Sequence, residues 1–326
     1  MLRIDVYEDR DRSEWDAFVR RSKNGTFLIL RDYMEYHREG FHDHSLVVRG
    51  DDGRLIALLP ANRLSESLVS HGGLTYGGFI TDARMKTPIM LELFSRAITF
   101  LKEHRFAVFE YKTVPHIYHS LPAEEDRYAL FLAKASVKRR GLLTVVTNTN
   151  RPAIQERRMR GAKKAREQGF TIARSHDWRG YWALLTERLW ASHGVRPVHA
   201  LEEICALQSR FPDNIKLFAC LAHSGDIVAG VVVYESRRVA HCQYVAANDR
   251  GRECQALDLL FTDLLAGEYA HKSWFDFGTS DDDNGWWLNH GLVDQKEGFG
   301  ARAIVHDHYT IDLEHCDPTL ISGAMA

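Results

Sequence analysis

The stretch Ser273–Arg302, SWFDFGTSDDDNGWWLNHGLVDQKEGFGAR, sets acids, an amide, hydroxyls and a lysine behind one short apolar run. Asp276 interrupts that run between Phe275 and Phe277, and two-residue alternation places it opposite both rings. Such a carboxylate could bond a neighbouring turn, hold a substrate or orient a base. Lys296, in QKEGFG, lies near a helix end where a cation is expected anyway, and it is also suited to stabilise a developing oxyanion. Ser280 and Asn289 are residue types that cap helices. His241 and Gln243 stand two apart in HCQYVAA and so should share one strand face. His199, in RPVHALEE, precedes a helix; it is either a surface imidazole or a general base, since its titration range suits proton removal.

A second group lies earlier. SHGGLTYGGF brings His71 and Tyr76 together with four glycines, which permit positive φ and close approach of a ligand, or else mark a bulge in a sheet. Glu110 and Tyr111 end the following strand, and His116 comes shortly after. These residues are expected to line an acceptor cleft between two domains.

The elements that must carry these residues form a pattern. Two apolar runs flank Asp51-Asp52-Gly53 as a hairpin, SLVSHGGLTYGGFI adds a further extended run, a helix with Pro88 in its first turn follows, and RFAVFEYKTV reads as a strand. IKLFACL, DIVAGVVVYE and RVAHCQYVAA read as three strands, QALDLLFTDLLAGEYA as a helix and WFDFG as a strand. The order strand, strand, strand, helix, strand thus occurs near 45–112 and again near 215–278. This predicts two copies of one α/β unit, with domains at 1–140 and 141–326. GWWLNHGLVDQKEGFG reads as a short helix ending in glycine. Between the copies lies the basic helical stretch RPAIQERRMRGAKKAREQG, either a solvated face or a phosphate-contacting one.

Bulk properties set limits. The chain has 326 residues, 45% hydrophobic and 26% charged, as ordinary globular proteins do. A net charge of −2 gives no global drive toward DNA or an anionic membrane. Five cysteines without CxxC spacing imply reduced thiols, and no apolar signal core opens the chain; both lead to the expectation of a cytoplasmic protein. Despite 17 histidines there is no HExxH and no zinc-type cysteine pair, so no metal is expected. GxGxxG, P-loop and GxSxG patterns are also missing from the sequence, which argues against dinucleotide, ATP and serine-hydrolase chemistry.

The repeated unit resembles the acyltransferase fold known as GNAT. RRMRGAKKAREQG, IKLFACL, AGVVVY, QYVAA, DFGTS, LNHGL and KEGFG, in that order, are similar to the C-terminal half of the FemAB-like transferases. SHGGLTYGGFI and EYKTVPHIYHSLPAEEDRYALF resemble the N-terminal half of their soluble relatives in bacterial sugar and cell-envelope pathways. The resemblance implies two tandem GNAT-like domains, each a mixed, mostly antiparallel sheet flanked by helices. It implies transfer of an acyl group from acyl-CoA, as co-substrate, directly to a primary amine, with a nucleotide-linked amino sugar as the small-molecule acceptor. Asn289, in LNHGL, matches a family motif and could position a substrate, and the strand of His241 and Gln243 would border the acyl donor. The family's pyrophosphate loop, Q/R-x-x-G-x-G/A, aligns with DRGRECQALDLL so that Cys254 and Ala256 take the last two small positions, with Arg250 and Arg252 able to meet a phosphate. The alternative within the same family is aminoacyl-tRNA-dependent transfer to a peptidoglycan precursor. That branch often carries a coiled-coil insertion, and the spacing here has no room for one. A third alternative is a GNAT pair that binds a ligand without catalysis.

Overall fold

The structure is a computed structural model and describes residues 2–323. The chain divides into two compact units, Met1–Gly141 together with Val305–Ala326, and Leu142–Ile304. Each is described by itself.

In the first unit, β1 (Arg3–Val6) is followed by α1 (Arg12–Arg21), which buries Trp15, Phe18 and Val19 on one side. Strands β2 (Leu46–Arg49) and β3 (Leu55–Leu59) form the expected hairpin, with Gly53 at φ +76 in its turn. Next come β4 (Asn62–Leu64), β5 (Ser67–Val69), β6 (Ile80–Thr81), α2 (Thr87–Glu103), β7 (Val108–Lys112) and α3 (Glu125–Leu132). Strands β1, β2, β3 and β6 make one antiparallel sheet, and β5 pairs in parallel with β7. Pro88 suits the first turn of α2, whose missing N–H would be unsatisfied anyway. The helix then lays Met90, Leu91, Phe94, Ala97, Ile98 and Leu101 into the core at three- and four-residue spacing. Each large side chain so buried contributes about 1.5–3 kcal/mol.

The second unit is one six-stranded sheet. It contains the end of β8 (Ser136–Thr147), then α4 (Glu156–Glu167), β9 (Thr171–Ser175), α5 (Trp178–His193), α6 (Leu201–Arg210), β10 (Ile215–Leu221), β11 (Ile227–Glu235), β12 (Val239–Ala247), α7 (Ala256–Ala266) and β13 (Trp274–Thr279). The strand order is β9-β10-β11-β12-β13-β8. Every pair is antiparallel except β12 with β13. Phe261, Phe275, Phe277 and Phe299 form an aromatic nest within its core.

The stretch read as one short helix is instead a small hairpin, Asp281–Asp282 against Trp287–Leu288, followed by α8 (His290–Glu297). Asp283, Asn284 and Gly285 all have positive φ, which turns the chain back before a helix can start. The last strand, β14 (Arg302–Asp312), pairs with β7 in the first unit, Thr310 opposite Glu110. Ile311, Leu313, Cys316 and Ile321 then complete the first unit's core. The segment 305–326 therefore belongs to the first unit rather than to the second domain expected at 141–326, because its apolar side chains have their partners there.

Candidate active site

Strands β12 and β13 are paired only over Val239–His241 and Trp274–Asp276. Beyond that point they part. A cavity of about 370 Å³ opens in the second unit, with Val245, Ala246 and Ala247 of β12 on one wall and Phe277 of β13 on the other. The first turn of α7 adds Gln255, Leu257 and Asp258, and α8 adds Leu292, Gln295 and Lys296. Arg158 of α4, Arg188 of α5 and Arg252 give the cavity a cationic lining. Arg158 Nη1 donates to Asp258 at 3.1 Å, while its buried Nε has no hydrogen-bond partner. Arg188 forms no ion pair among the described residues. A helix N-terminus beside guanidinium groups is an environment that favours an anion.

Where the two strands part, four sequence-predicted residues meet. Asp276 is 1% exposed, and its Oδ2 lies 2.8 Å from His241 Nδ1 on the neighbouring strand. Its Oδ1 accepts the Gly278 N–H at 2.7 Å. The carboxylate therefore bonds a turn and orients an imidazole at once. Burial pushes the Asp276 carboxyl up, but His241, the Gly278 N–H and Lys296 together hold it below its usual value. Gly278 has φ +75, a backbone conformation that a larger residue would adopt only under strain.

Lys296 extends its buried amine to Gly278 O (3.1 Å), Thr279 O (2.6 Å) and Ser280 Oγ (2.8 Å). An ammonium has three N–H donors, and all three are used. The amine thus braces the end of β13 and has no donor left for an oxyanion. Burial lowers its pKa to about 8, against the pull of Asp276. Ser280 also accepts the Asn289 backbone N–H at 2.9 Å through its carbonyl. Asn289 caps α8, its Oδ1 accepting the Leu292 N–H at 3.0 Å.

The other predicted residues lie elsewhere. The β12 register shifts at Gln243: Val233 faces Cys242 and Val232 faces Tyr244. This bulge breaks the alternation that was to put His241 and Gln243 on one face. His199 is 5% exposed rather than a surface imidazole. Its Nδ1 lies 2.5 Å from Tyr244 Oη and its carbonyl accepts from Trp182 Nε1, so it belongs to the packing of α5 on the sheet.

In the loop matched to a pyrophosphate motif, Cys254 and Ala256 are core residues, and burial raises the Cys254 thiol. Gly251 serves packing: a Cβ there would stand 2.2 Å from Val228 O. Arg252 lines the cavity and pairs with Asp249, whereas Arg250 stacks over Phe170.

In the first unit, His71 adopts φ +55 and lines a separate cavity of about 540 Å³ with Tyr7, Arg31, Glu35 and Asp43. Tyr76 is buried against Tyr118 and shares a hydrogen bond with Thr26. Glu110 pairs with Lys138 at 2.5 Å, and His116 is exposed. Tyr111 is fully buried between Phe79 N–H, from which it accepts, and Asp126, to which it donates.

Sequence reasoning missed Arg188, Gln255 and Gln295. Arg158 had a signal, the basic stretch, although most of that helix is internally neutralised: Arg157 pairs with Asp294, Arg166 with Asp263, Arg160 with Glu156 and Lys163 with Glu167. Among the described residues, no cluster of three or more His, Cys, Asp or Glu is placed to hold a metal, and no helix is long and apolar enough to cross a membrane.

Residues 155–284 match the family model described as an acetyltransferase (GNAT) domain. No curated protein matches the chain. Among solved structures, FemX is similar with a TM-score of 0.66 at 12% identity, covering 95% of this chain and 97% of that one. L-PGS from Bacillus licheniformis has a TM-score of 0.59 at 13% identity, covering 97% and 96%. A tandem GNAT protein from the clavulanic acid biosynthesis pathway has a TM-score of 0.54 at 12% identity, covering 97% and 100%. At such identities the likeness is one of fold, and the tandem GNAT architecture that the resemblance implied is the one observed.

Proposed function

The chain carries a GNAT acetyltransferase domain within a FemAB-like tandem GNAT fold, and from that premise we propose that its second unit transfers an acyl group from acyl-CoA to a primary amine, with a nucleotide-linked amino sugar as acceptor. The observation that carries the reading is the parting of β12 and β13 around a cavity whose lining includes three arginines and the first turn of a helix. The buried Arg158 Nε, lacking a partner, fits an anionic group such as a CoA phosphate. Acyl-CoA, when bound, supplies a thioester carbonyl open to attack.

The chain's own residues divide the remaining work. Asp276 accepts a hydrogen bond from His241 Nδ1–H and leaves Nε2 to take the proton that the acceptor ammonium gives up. The neutral amine then attacks the thioester carbonyl, and the C–S bond breaks as the C–N bond is made. The imidazolium, stabilised by the buried carboxylate, returns the proton to the departing CoA thiolate. Gln243, left out of the ladder at the bulge, offers its backbone N–H to the developing oxyanion. Lys296 holds Gly278 and Ser280 in place around this centre. The transfer is direct. Burial, with Asp276 adding to it, pushes the nearby Cys242 thiol far above its usual value, so it remains protonated and is a poor nucleophile.

The intramolecular ion pairs of α4 weigh against tRNA as the donor's carrier, since they occupy the basic face that would meet phosphates. The test is thiol release. Acetyl-CoA plus a nucleotide-linked amino sugar should liberate CoA only with the enzyme present. Loss of signal with acyl-CoA, together with transfer from aminoacyl-tRNA, would replace this reading with the Fem-type one.

A further inference from the structure

The hairpin between Ser280 and Asn289 exposes Trp286 by 87% and Trp287 by 55%. Among the described residues, neither indole stacks on another ring or forms a side-chain hydrogen bond. Asp282 and Asp283, on the same hairpin, are exposed, and their carboxylates have no ion-pair or hydrogen-bond partner among the described residues. Asp281 is engaged, accepting the Leu142 N–H at 2.6 Å. Two bare aromatic faces and two unpaired carboxylates therefore share one short loop.

The loop is rooted at the candidate catalytic centre. Asn289 donates its backbone N–H to Ser280 O at 2.9 Å and so closes the hairpin's base. The Ser280 hydroxyl is one of the three groups that hold the Lys296 amine.

We propose that this hairpin is the recognition element for the acceptor, which it captures as a protonated amine carried on a sugar ring. The inference rests on the transferase reading above and names what that site admits. The charge decides the class of ligand. A cation is attracted both by the indole faces, at about 0.5–2 kcal/mol per contact, and by the two carboxylates. The ring bearing the amine gains apolar contact with the flat indoles. An anionic lipid surface or a nucleic-acid backbone would meet the same carboxylates as repulsion, which sets both apart from the proposed occupant.

The test uses the fluorescence of the full chain, titrated with glucosamine hydrochloride, its neutral twin N-acetylglucosamine, and phosphatidylglycerol vesicles. Glucosamine should quench saturably, with at least a fivefold preference over N-acetylglucosamine. Trp286→Phe with Trp287→Phe should abolish the quench. Asp282→Asn with Asp283→Asn should weaken it at least fivefold, and added salt should do the same. All these variants should keep the wild-type thermal shift with acetyl-CoA, which also shows that they fold. No saturable quench, equal response to the neutral twin, or a stronger response to vesicles would overturn the proposal. Binding of acetyl-CoA without any glucosamine response sinks the hairpin role alone. A charge-selective glucosamine response without acetyl-CoA binding keeps the amine site and sinks the transferase reading.

Discussion

Asp276 Oδ2 lies 2.8 Å from His241 Nδ1 across a parallel strand pair, and the carboxylate is 1% exposed. A buried carboxylate on one ring nitrogen fixes which nitrogen is left to act as a base. Asp276→Asn keeps the shape and removes the charge. It should lower acyl transfer by about 10²-fold or more, with little change in the KM for acyl-CoA, and His241→Ala should do the same. Steady-state kinetics with the donor varied checks this. A changed donor KM with an unchanged kcat would assign the pair to binding instead.

His199 provides the contrast. Its Nδ1 meets Tyr244 Oη, and burial raises that phenol to about 12 against opposing hydrogen bonds from His199 and Gln243. His199→Ala should cost about 0.5–1.5 kcal/mol of stability by removing one of the hydrogen bonds made by the half-buried phenol. Transfer per folded molecule should stay within about threefold. Urea unfolding beside a rate assay separates the two effects.

Lys296 predicts an alkaline signature. Its folded pKa of about 8 lies below its ordinary 10.5, so between those values the unfolded chain binds more protons. Stability should therefore rise with pH across that window, relative to Lys296→Met. The full shift, 10.5 to about 8, corresponds to a recovery on the order of 3 kcal/mol. Urea midpoints of both proteins at pH 8 and pH 10 read the difference. Lys112 has the same pKa of about 8, so only the difference from the variant isolates Lys296.

Acid should act on the first unit. Burial holds both His119 and His306 at about 4, each ring bonding a backbone carbonyl, Val114 and Thr113 respectively. Below the unfolded value of 6.5 the unfolded chain takes up protons that these rings refuse, so stability falls from pH 6.5 toward pH 4. His306→Gln, which keeps an N–H for Thr113, should flatten the slope by up to about 1.4 kcal/mol per pH unit. Denaturant unfolding between pH 4.5 and 7 measures it.

Much of the fold was legible because strand alternation and helix spacing are local signals. The hairpin around Gly53, the face of α2 and both strand–helix–strand series follow from residues within a few positions of one another. Strand β8 escaped notice because Lys138-Arg139-Arg140-Gly141 places charge at its start, although Val145 and Val146 pair with Asp276 and Phe275. The two tryptophans looked helical because the backbone turn at Asp283-Asn284-Gly285 overrides the pattern that follows.

Within the candidate site, Asp276, His241 and Lys296 were recognisable by type. Their union was not, since it depends on the register between strands 35 residues apart. Arg188 had no signal at all: it is one polar position on a helix, and only the path of α5 brings it to the cavity.

The central claim, that acyl-CoA is held by the arginine-lined cavity of the second unit, is tested most directly by calorimetric titration of acetyl-CoA into the wild-type chain and Arg188→Ala. The account predicts a single site whose affinity falls about tenfold in the variant, or about 1.4 kcal/mol, and weakens further with salt. No binding to the wild type, or equal affinity in the two proteins, would contradict it.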